Sequence, residues 1–498
     1  MNNLKIYPFG GVAEIGSNMT VFETETHTVV IDYGILFPND DFFNLNYLIA
    51  DTTQLNTEKE MILFVTHGHE DHIGAITHFL HEFPQATVYA PRLARELLLF
   101  KLEKRNMSHP INLYEEDFVL ELGDYKLHPI HVTHSIPDTF GLVFKYKNEM
   151  AVLFISDFKY DMNPLFESPF NVQKIQALFK NCPKRIAMLD STNILSEGHT
   201  PSESALTEDL EKIISAKKRT FITMFSSNLY RIKNILELVK KHKKKVVTIG
   251  RSINHYIETA DKVGILSIDD YPRIDFEAVQ NYQDPKIVYL VTGSQGEFLG
   301  AAKRIITGNQ KNIQLNEEDQ FVFSSKPIPG NEKKIYQLYN QLAEFNISPI
   351  TFRDARIHAS GHPCQDDLKA LIKKVEPTDY IPIHGETYFL RKHIQFIKDH
   401  FKEINPIYLT NFKGIEIKDN KIGFFEFDEI QPHIIHGNYI PIEREKISER
   451  RKIADNGAIF VSLNHKTQNI SISTKGLPLE AEPLIPRVRD VIDYSAFQ

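Results

Sequence analysis

"FVTHGHEDHIGAI", residues 64–76, sets His67, His69, Asp71 and His72 within six positions, directly after the apolar run "MILFV". The run reads as a buried strand. The polar residues behind it are neutral imidazoles and carboxylates, the donors that zinc and manganese prefer. Residues two apart at a strand end can converge on one ion, so His67 and His69 pair naturally. Asp71 and His72 fall at the start of the next helix and can reach a second ion. Gly68 between them allows a tight backbone turn. Packing alone does not call for four candidate ligands in one loop. The stretch reads as half of a dinuclear metal site on a rigid strand.

The other half is expected at other strand ends. "HVTHSIPDTFG" offers His134, "LFISDFKYD" offers Asp157 and "YIPIHGET" offers His384, each behind an apolar run. A carboxylate at such an end can bridge two ions. Ions about 3.5–4 Å apart activate water and clamp the oxygens of a phosphodiester.

Around these motifs lies an ordinary globular composition. The chain has 498 residues, 42% hydrophobic and 24% charged, enough for two or three domains. No apolar run reaches the ~18 residues of a membrane helix. The N-terminus "MNNLKIYPFGG" lacks the signal-peptide pattern. Cys182 and Cys364 do not make a disulfide framework, so a cytoplasmic home is expected, without a membrane partner. The net charge of −8 disfavours a general nucleic-acid-binding surface. The basic run "RIKNILELVKKHKKK" (231–245) reads first as a solvated amphipathic helix, with a phosphate-attracting face as the functional alternative.

Short strands dominate to about residue 197: 19–24, 27–34, 61–67, 87–91, 125–134, 141–146, 151–157 and 185–192. A helix is expected over 72–83. From about 200 strands alternate with helices, the pattern of a parallel sheet covered on both faces.

Taken together the motifs resemble a known family. "THGHEDHIG" matches the signature of the metallo-β-lactamase superfamily. "GGVAEIGSNM", "HSIPD", "DFKYD", "DSTN", "FSSN", "TGSQGE", "IPGNE", "HASGH" and "PIHGE" follow in order over residues 10–386 and resemble the bacterial ribonuclease J family of β-CASP nucleases. The resemblance implies an α/β fold: a metallo-β-lactamase αβ/βα sandwich (1–197 and 355–430) with an inserted β-CASP α/β domain (198–354) and a linker-like tail (431–498). It implies a metal-dependent ribonuclease with 5′-to-3′ exonuclease and endonuclease action, using a hydroxide activated by two divalent metal ions. These are expected to be zinc, with manganese or magnesium as alternatives. By the same resemblance His67, His69 and His134 hold one ion, Asp71, His72 and His384 the other, and Asp157 bridges. Asp71 and Asp190 join the catalytic set. His362 protonates the leaving 3′ oxygen, oriented by an acidic neighbour. Ser226, Ser227, Asn228, His358, Ser360 and Gly361 grip substrate phosphate, including a 5′ monophosphate. In "TGSQGEFLGAAKRI" the Gly and Ser residues shape a loop or touch RNA. Ser156 stands where the family often has Gly. The tail leads to the expectation that the family's C-terminal domain is missing and that any homodimer is weak; RNA-decay partners are not readable. Two other classes remain: a metallo-β-lactamase-fold hydrolase of a small ester or thioester, disfavoured by residues 198–354, and a non-catalytic RNA-binding paralogue, disfavoured because no ligand is lost.

Overall fold

The computed structural model describes residues 3–38, 45–282, 284–297, 299–328, 330–428, 431–437, 440–464, 466–467, 469–477 and 482–491. The chain first lays down β1 (Asn3–Gly10), β2 (Met19–Glu23), β3 (His27–Ile31), β4 (Glu60–Phe64), β5 (Thr87–Ala90) and β6 (Ile111–Leu113). Then come β7 (Leu120–Leu122), β8 (Tyr125–Val132), β9 (Thr139–Tyr146), β10 (Met150–Ile155) and β11 (Lys184–Asp190). Four strands follow: β12 (Thr220–Thr223), β13 (Lys245–Ile249), β14 (Ile287–Val291) and β15 (Gln320–Phe323). The chain returns with β16 (Asp379–Ile383), β17 (Asn405–Pro406), β18 (Lys413–Lys418) and β19 (Lys421–Glu426).

Three sheets result. The first has the order β19-β18-β1-β2-β3-β4-β5-β6, the second β7-β8-β9-β10-β11-β16-β17. The late strands β16 to β19 thus complete sheets begun in the first 190 residues, which is how an insertion is recognised. The two sheets face each other across one apolar layer in which Phe22 stacks on Phe144 at 4.1 Å and meets Phe154 edge-on at 5.9 Å. The third sheet, β13-β14-β12-β15, is wholly parallel. Its strands are buried throughout or nearly so, as expected when both faces are covered. Helices α1 (Leu229–Lys241), α2 (Arg251–Lys262) and α3 (Glu332–Ala343) accompany it. The fold class is therefore the expected one.

One local expectation fails. The helix foreseen over 72–83 is two pieces, Glu70–Ile73 and Ile76–Glu82. The Ala75 amide donates to the Tyr33 carbonyl rather than within a helix, and a Cβ on Gly74 would press against Ile35 at 2.8 Å.

Residues 1–35 and 52–430 form one compact unit. Leu36–Asp51 and Gln431–Gln498 form a second, so the expected tail shares its unit with a piece of the N-terminal segment. In that second unit Tyr47–Ile49 pairs antiparallel with His433–His436, around Leu48, Ile434 and Ile447. Helix Arg444–Asn456 and the hairpin Ala458–Asn464 with Asn469–Lys475 also belong to it. Among the described residues no helix is long and apolar enough to cross a membrane.

Candidate metal centre and active site

The apolar strands β4, β8, β10, β11 and β16 all end beside one another, and the residues just beyond them carry the candidate ligands. His67, His69, His134 and Asp157 offer donor atoms within 4.8 Å of one another, as do Asp71, His72 and His384, and Asp157, His362 and His384. All seven sequence-proposed ligands are thus brought together. His67 Nε2 and His134 Nε2 each lie 3.1 Å from His69 Nδ1. Nitrogens bound tetrahedrally at about 2.0–2.1 Å around one zinc would lie at roughly that separation. Asp157 stands in the middle, with Oδ1 3.0 Å from His72 Nε2 and 3.6 Å from His384 Nε2, and Oδ2 3.5 Å from His134 Nε2. Asp157 Oδ1 and His384 Nε2 are buried yet satisfy no hydrogen-bond geometry. Buried polar atoms are rarely left so, and this donor set fits divalent cations.

The outer nitrogen of each histidine is held. Thr66 Oγ1 lies 3.0 Å from His67 Nδ1, Ser227 Oγ 3.1 Å from His69 Nε2, and Thr192 Oγ1 2.8 Å from His384 Nδ1. Asp32 Oδ2 lies 2.7 Å from His72 Nδ1, and His134 Nδ1 donates to the Gly361 carbonyl at 2.8 Å. Such partners fix ring orientation and turn the other nitrogen toward the centre, where His72 Nε2 also lies 3.0 Å from Asn18 Nδ2. Sequence reading missed Asp32, Thr66 and Thr192. Asp32 had a signal: a carboxylate ending the apolar run "TVVI", the same grammar that revealed Asp157. It also accepts from the Thr66 amide and hydroxyl at 2.7 Å each and sits at φ 61°. His384 likewise has φ 52°, a strained region for a side-chain-bearing residue.

Electrostatics separate the histidines. Burial, aided by the charge of His72, keeps His67 well below its usual value; burial also lowers His134 and brings His69 to about 4. These three are neutral, as ligands must be. Burial also acts to lower His72 and His384, but Asp157 with Asp71 and Asp32 outweighs it at His72. Asp157, Asp190 and Asp71 carry His384 to about 10. The excess carboxylate charge that would hold these two rings protonated is the charge a bound cation would neutralise.

Beside the ligands lies His362. Its Nδ1 is 2.7 Å from Asp190 Oδ2, and its ring stacks on His384 at 5.5 Å. Burial opposes protonation, but Asp190 and Asp157 raise His362 above its usual value, while the pairing holds buried Asp190 down to about 2. The His362 carbonyl accepts from Thr200 Oγ1 at 2.7 Å and Asn193 Nδ2 at 3.0 Å. Asn193 and Thr200 were not foreseen as partners.

The phosphate-gripping set divides. Ser226 pairs with Ser252 at 2.9 Å, and Ser227 with His69. Asn228 is 3% exposed and caps α1, accepting from the Arg231 amide and donating to Glu203; its side chain is not presented to a substrate. Ser360 accepts from Asn193 at 2.8 Å. Gly361 serves His134: a Cβ there would lie 2.6 Å from the ring. Gly68 has no positive φ; its need is space, since a Cβ would meet Leu97 at 2.8 Å. His358 is reached by Arg231, whose guanidinium bonds Glu203, the Ser324 carbonyl and the Ala359 carbonyl and approaches His358 Nδ1 at 3.4 Å. Burial and Arg231 lower His358 to about 3. Arg231 belongs to the basic run, and five of the run's six lysines have neighbours: Lys233 the Ile265 carbonyl, Lys241 Glu211, Lys244 the Ala216 carbonyl, with Lys240 and Lys245 over Tyr271 and Tyr282. The run is an amphipathic helix to Lys241, as expected, with Lys240, Lys241 and Lys243 exposed and Arg231 and Lys244 turned inward. In the "TGSQGE" stretch the Gln295 amide bonds the Lys326 carbonyl and the Ile328 amide, a structural use of that loop.

Comparison with known proteins agrees with this geometry. Residues 13–162 match the metallo-β-lactamase superfamily, 217–342 the ribonuclease J β-CASP domain, and 352–409 the Zn-dependent metallo-hydrolase RNA specificity domain. Ribonuclease J of Synechocystis is 34% identical over 92% of this chain and 72% of its own length. That of Mycoplasma pneumoniae is 33% identical over 97% and 87%. The chain belongs to the ribonuclease J family. A crystal structure of a protein of unknown function from Enterococcus faecalis, 13% identical, superposes with a TM-score of 0.59 over 83% of this chain and all of its own, a likeness of fold.

Proposed function

We propose that the chain is a metal-dependent ribonuclease that hydrolyses RNA phosphodiesters, both stepwise from a 5′ end and internally. The observation that carries this reading is the ring of five histidines and two aspartates, with each imidazole's outer nitrogen held and the His362–Asp190 pair beside it. His67, His69 and His134 would hold one divalent ion, and Asp71, His72 and His384 a second, with Asp157 between them. When bound, such a pair lowers the pKa of water and neutralises charge on the phosphate oxygens. The nitrogen-rich first group favours zinc, with manganese or magnesium as the alternatives.

The chain's own groups do the rest. His362, kept protonated by Asp190, delivers a proton to the leaving 3′ oxygen. Asp190 orients that ring. Ser226, His358 and Ser360 offer neutral donors to the terminal phosphate, with Arg231 behind His358, and this pocket favours a 5′ monophosphate over a triphosphate. Ser227 and Gly361 act through His69 and His134. A cytoplasmic setting and a weak homodimer complete the reading, and light scattering over a dilution series tests the latter.

The deciding experiment incubates manganese- or zinc-loaded protein with one RNA bearing a 5′ monophosphate, hydroxyl or triphosphate, beside a thioester, and maps the products. Cleavage of RNA, fastest from the monophosphate, is expected. Turnover of the thioester alone would support the small-ester reading, and binding without cleavage the non-catalytic one.

A further inference from the structure

Beyond the pocket at His358, the edge of the parallel sheet carries a surface with its own chemistry. Segment 350–357 is tied to β15 at its two ends and turns between them: the Phe323 amide donates to the Ile350 carbonyl at 2.8 Å, Ile350 returns a bond to Phe321 at 2.8 Å, Ser324 Oγ donates to the Ile357 carbonyl at 2.5 Å, and the Asp354 amide closes a turn on the Thr351 carbonyl at 3.0 Å. The segment ends at His358. At its far end Phe352 lies between two cations, Lys326 Nζ 5.6 Å and Arg353 Cζ 5.7 Å from its ring centre. Arg353 also donates to the Tyr336 hydroxyl at 3.4 Å. Tyr336, on α3, meets Tyr339 edge-on at 5.7 Å, and Tyr339 packs on core Phe323 at 4.8 Å. The mount is firm, because Gln295 pins the Lys326 carbonyl and the Ile328 amide. The surface itself is open: Tyr336 is 50% and Ile328 48% exposed. The adjacent carboxylate of Asp354 is turned to the Thr351 amide and hydroxyl.

Exposed rings interleaved with cations are what single-stranded nucleic acid uses, bases on rings and phosphates on cations. Lys326 joins this surface to the pocket, since it lies two residues after Ser324, whose carbonyl binds Arg231, and its charge reaches His358. A strand whose 5′ end sits in the pocket stops there. A strand cut internally must continue past it.

We propose that Lys326, Phe352, Arg353 and Tyr336 form a stacking platform for single-stranded RNA upstream of the scissile bond, which serves internal cleavage and is idle when a 5′ end occupies the pocket. This rests on the ribonuclease reading above and assigns one part of the chain to one mode of cutting.

The test compares a circular single-stranded RNA with a linear 5′-monophosphate RNA of the same sequence, for wild type and the Tyr336→Ala, Arg353→Gln double variant. On the circle kcat/KM should fall about tenfold, carried by KM, as loss of one stacked base and one phosphate contact implies. The logarithmic salt dependence of KM on the circle should flatten by about 0.7 for Arg353→Gln alone. Exonucleolytic turnover of the linear RNA should stay within about twofold of wild type. Equal losses on both RNAs, or no loss on the circle, would overturn the platform. So would a wild type that degrades the linear RNA but leaves the circle intact. A wild type that cuts neither RNA removes the ribonuclease reading itself and the platform with it.

Discussion

His358 and His362 stand four residues apart in one loop and are pushed in opposite directions. His362 faces Asp190 and Asp157 and is raised; His358 is half-buried against Arg231 and is lowered to about 3. One end of the loop belongs to a carboxylate-rich centre that attracts cations and keeps a proton available. The other end is backed by the Arg231 guanidinium and stays neutral, which is why we propose an anion contact there. A hydrolase of phosphodiesters needs both, close together yet electrically distinct. The partition follows from which neighbour each ring meets, not from the histidines themselves.

The largest way to break the comparison is at the acidic end. His362→Ala should cut the single-turnover rate by about 10²–10⁴-fold, the usual weight of a proton donor, while elemental analysis still finds the wild-type metal content. An unchanged rate would end the assignment.

At the other end the buried guanidinium is the target. Arg231→Met leaves Glu203, 3% exposed, without its ion-pair partner. Denaturant unfolding should show a loss of about 3–5 kcal/mol, the cost of stranding a buried charge. Restoring stability by adding Glu203→Gln would tie the loss to that pair.

Between the two ends, Gly361→Ala asks whether the loop truly serves the metal centre. The added Cβ must displace the His134 ring, so metal affinity should weaken about 10–100-fold, as for loss of an outer partner. Competition with a chelator measures this, and an unaltered affinity would mean the ring yields freely.

A third buried group sharpens the comparison. Glu167 accepts from Tyr230 at 2.6 Å and is raised by burial from 4.5 to about 8, although Tyr230 and Lys159 act to lower it. Between pH 4.5 and 8 the folded chain keeps a proton that the unfolded chain has released, so unfolding free energy falls as pH rises across that window. Glu167→Gln should remove this slope. The variant should match wild type near pH 4.5 and exceed it by on the order of 4 kcal/mol near pH 8. Parallel stability curves for the two proteins would show that Glu167 is ionised throughout.

The sequence by itself determined the donors and the sheets that carry them. "THGHEDH", "FISD" and "PIHGE" are legible because an apolar run followed at once by a ligand is a local pattern, with strand and site encoded in adjacent residues. The parallel third sheet was legible for the same reason. What only the tertiary structure decided depends on contacts far apart in the chain. Asp32 reaches His72 across 40 positions, Gly361 reaches His134 across 227, and Thr192 reaches His384 across 192. Asn228 and Gly361, whose residue types suggest phosphate contacts, also serve a helix cap and a histidine. The basic run keeps the solvated face its pattern suggests at Lys240, Lys241 and Lys243, but Arg231 at its start is buried against Glu203. A short motif names the chemistry a residue can do; the partner within 3 Å, set by how the sheets and the inserted domain pack, decides which chemistry is used.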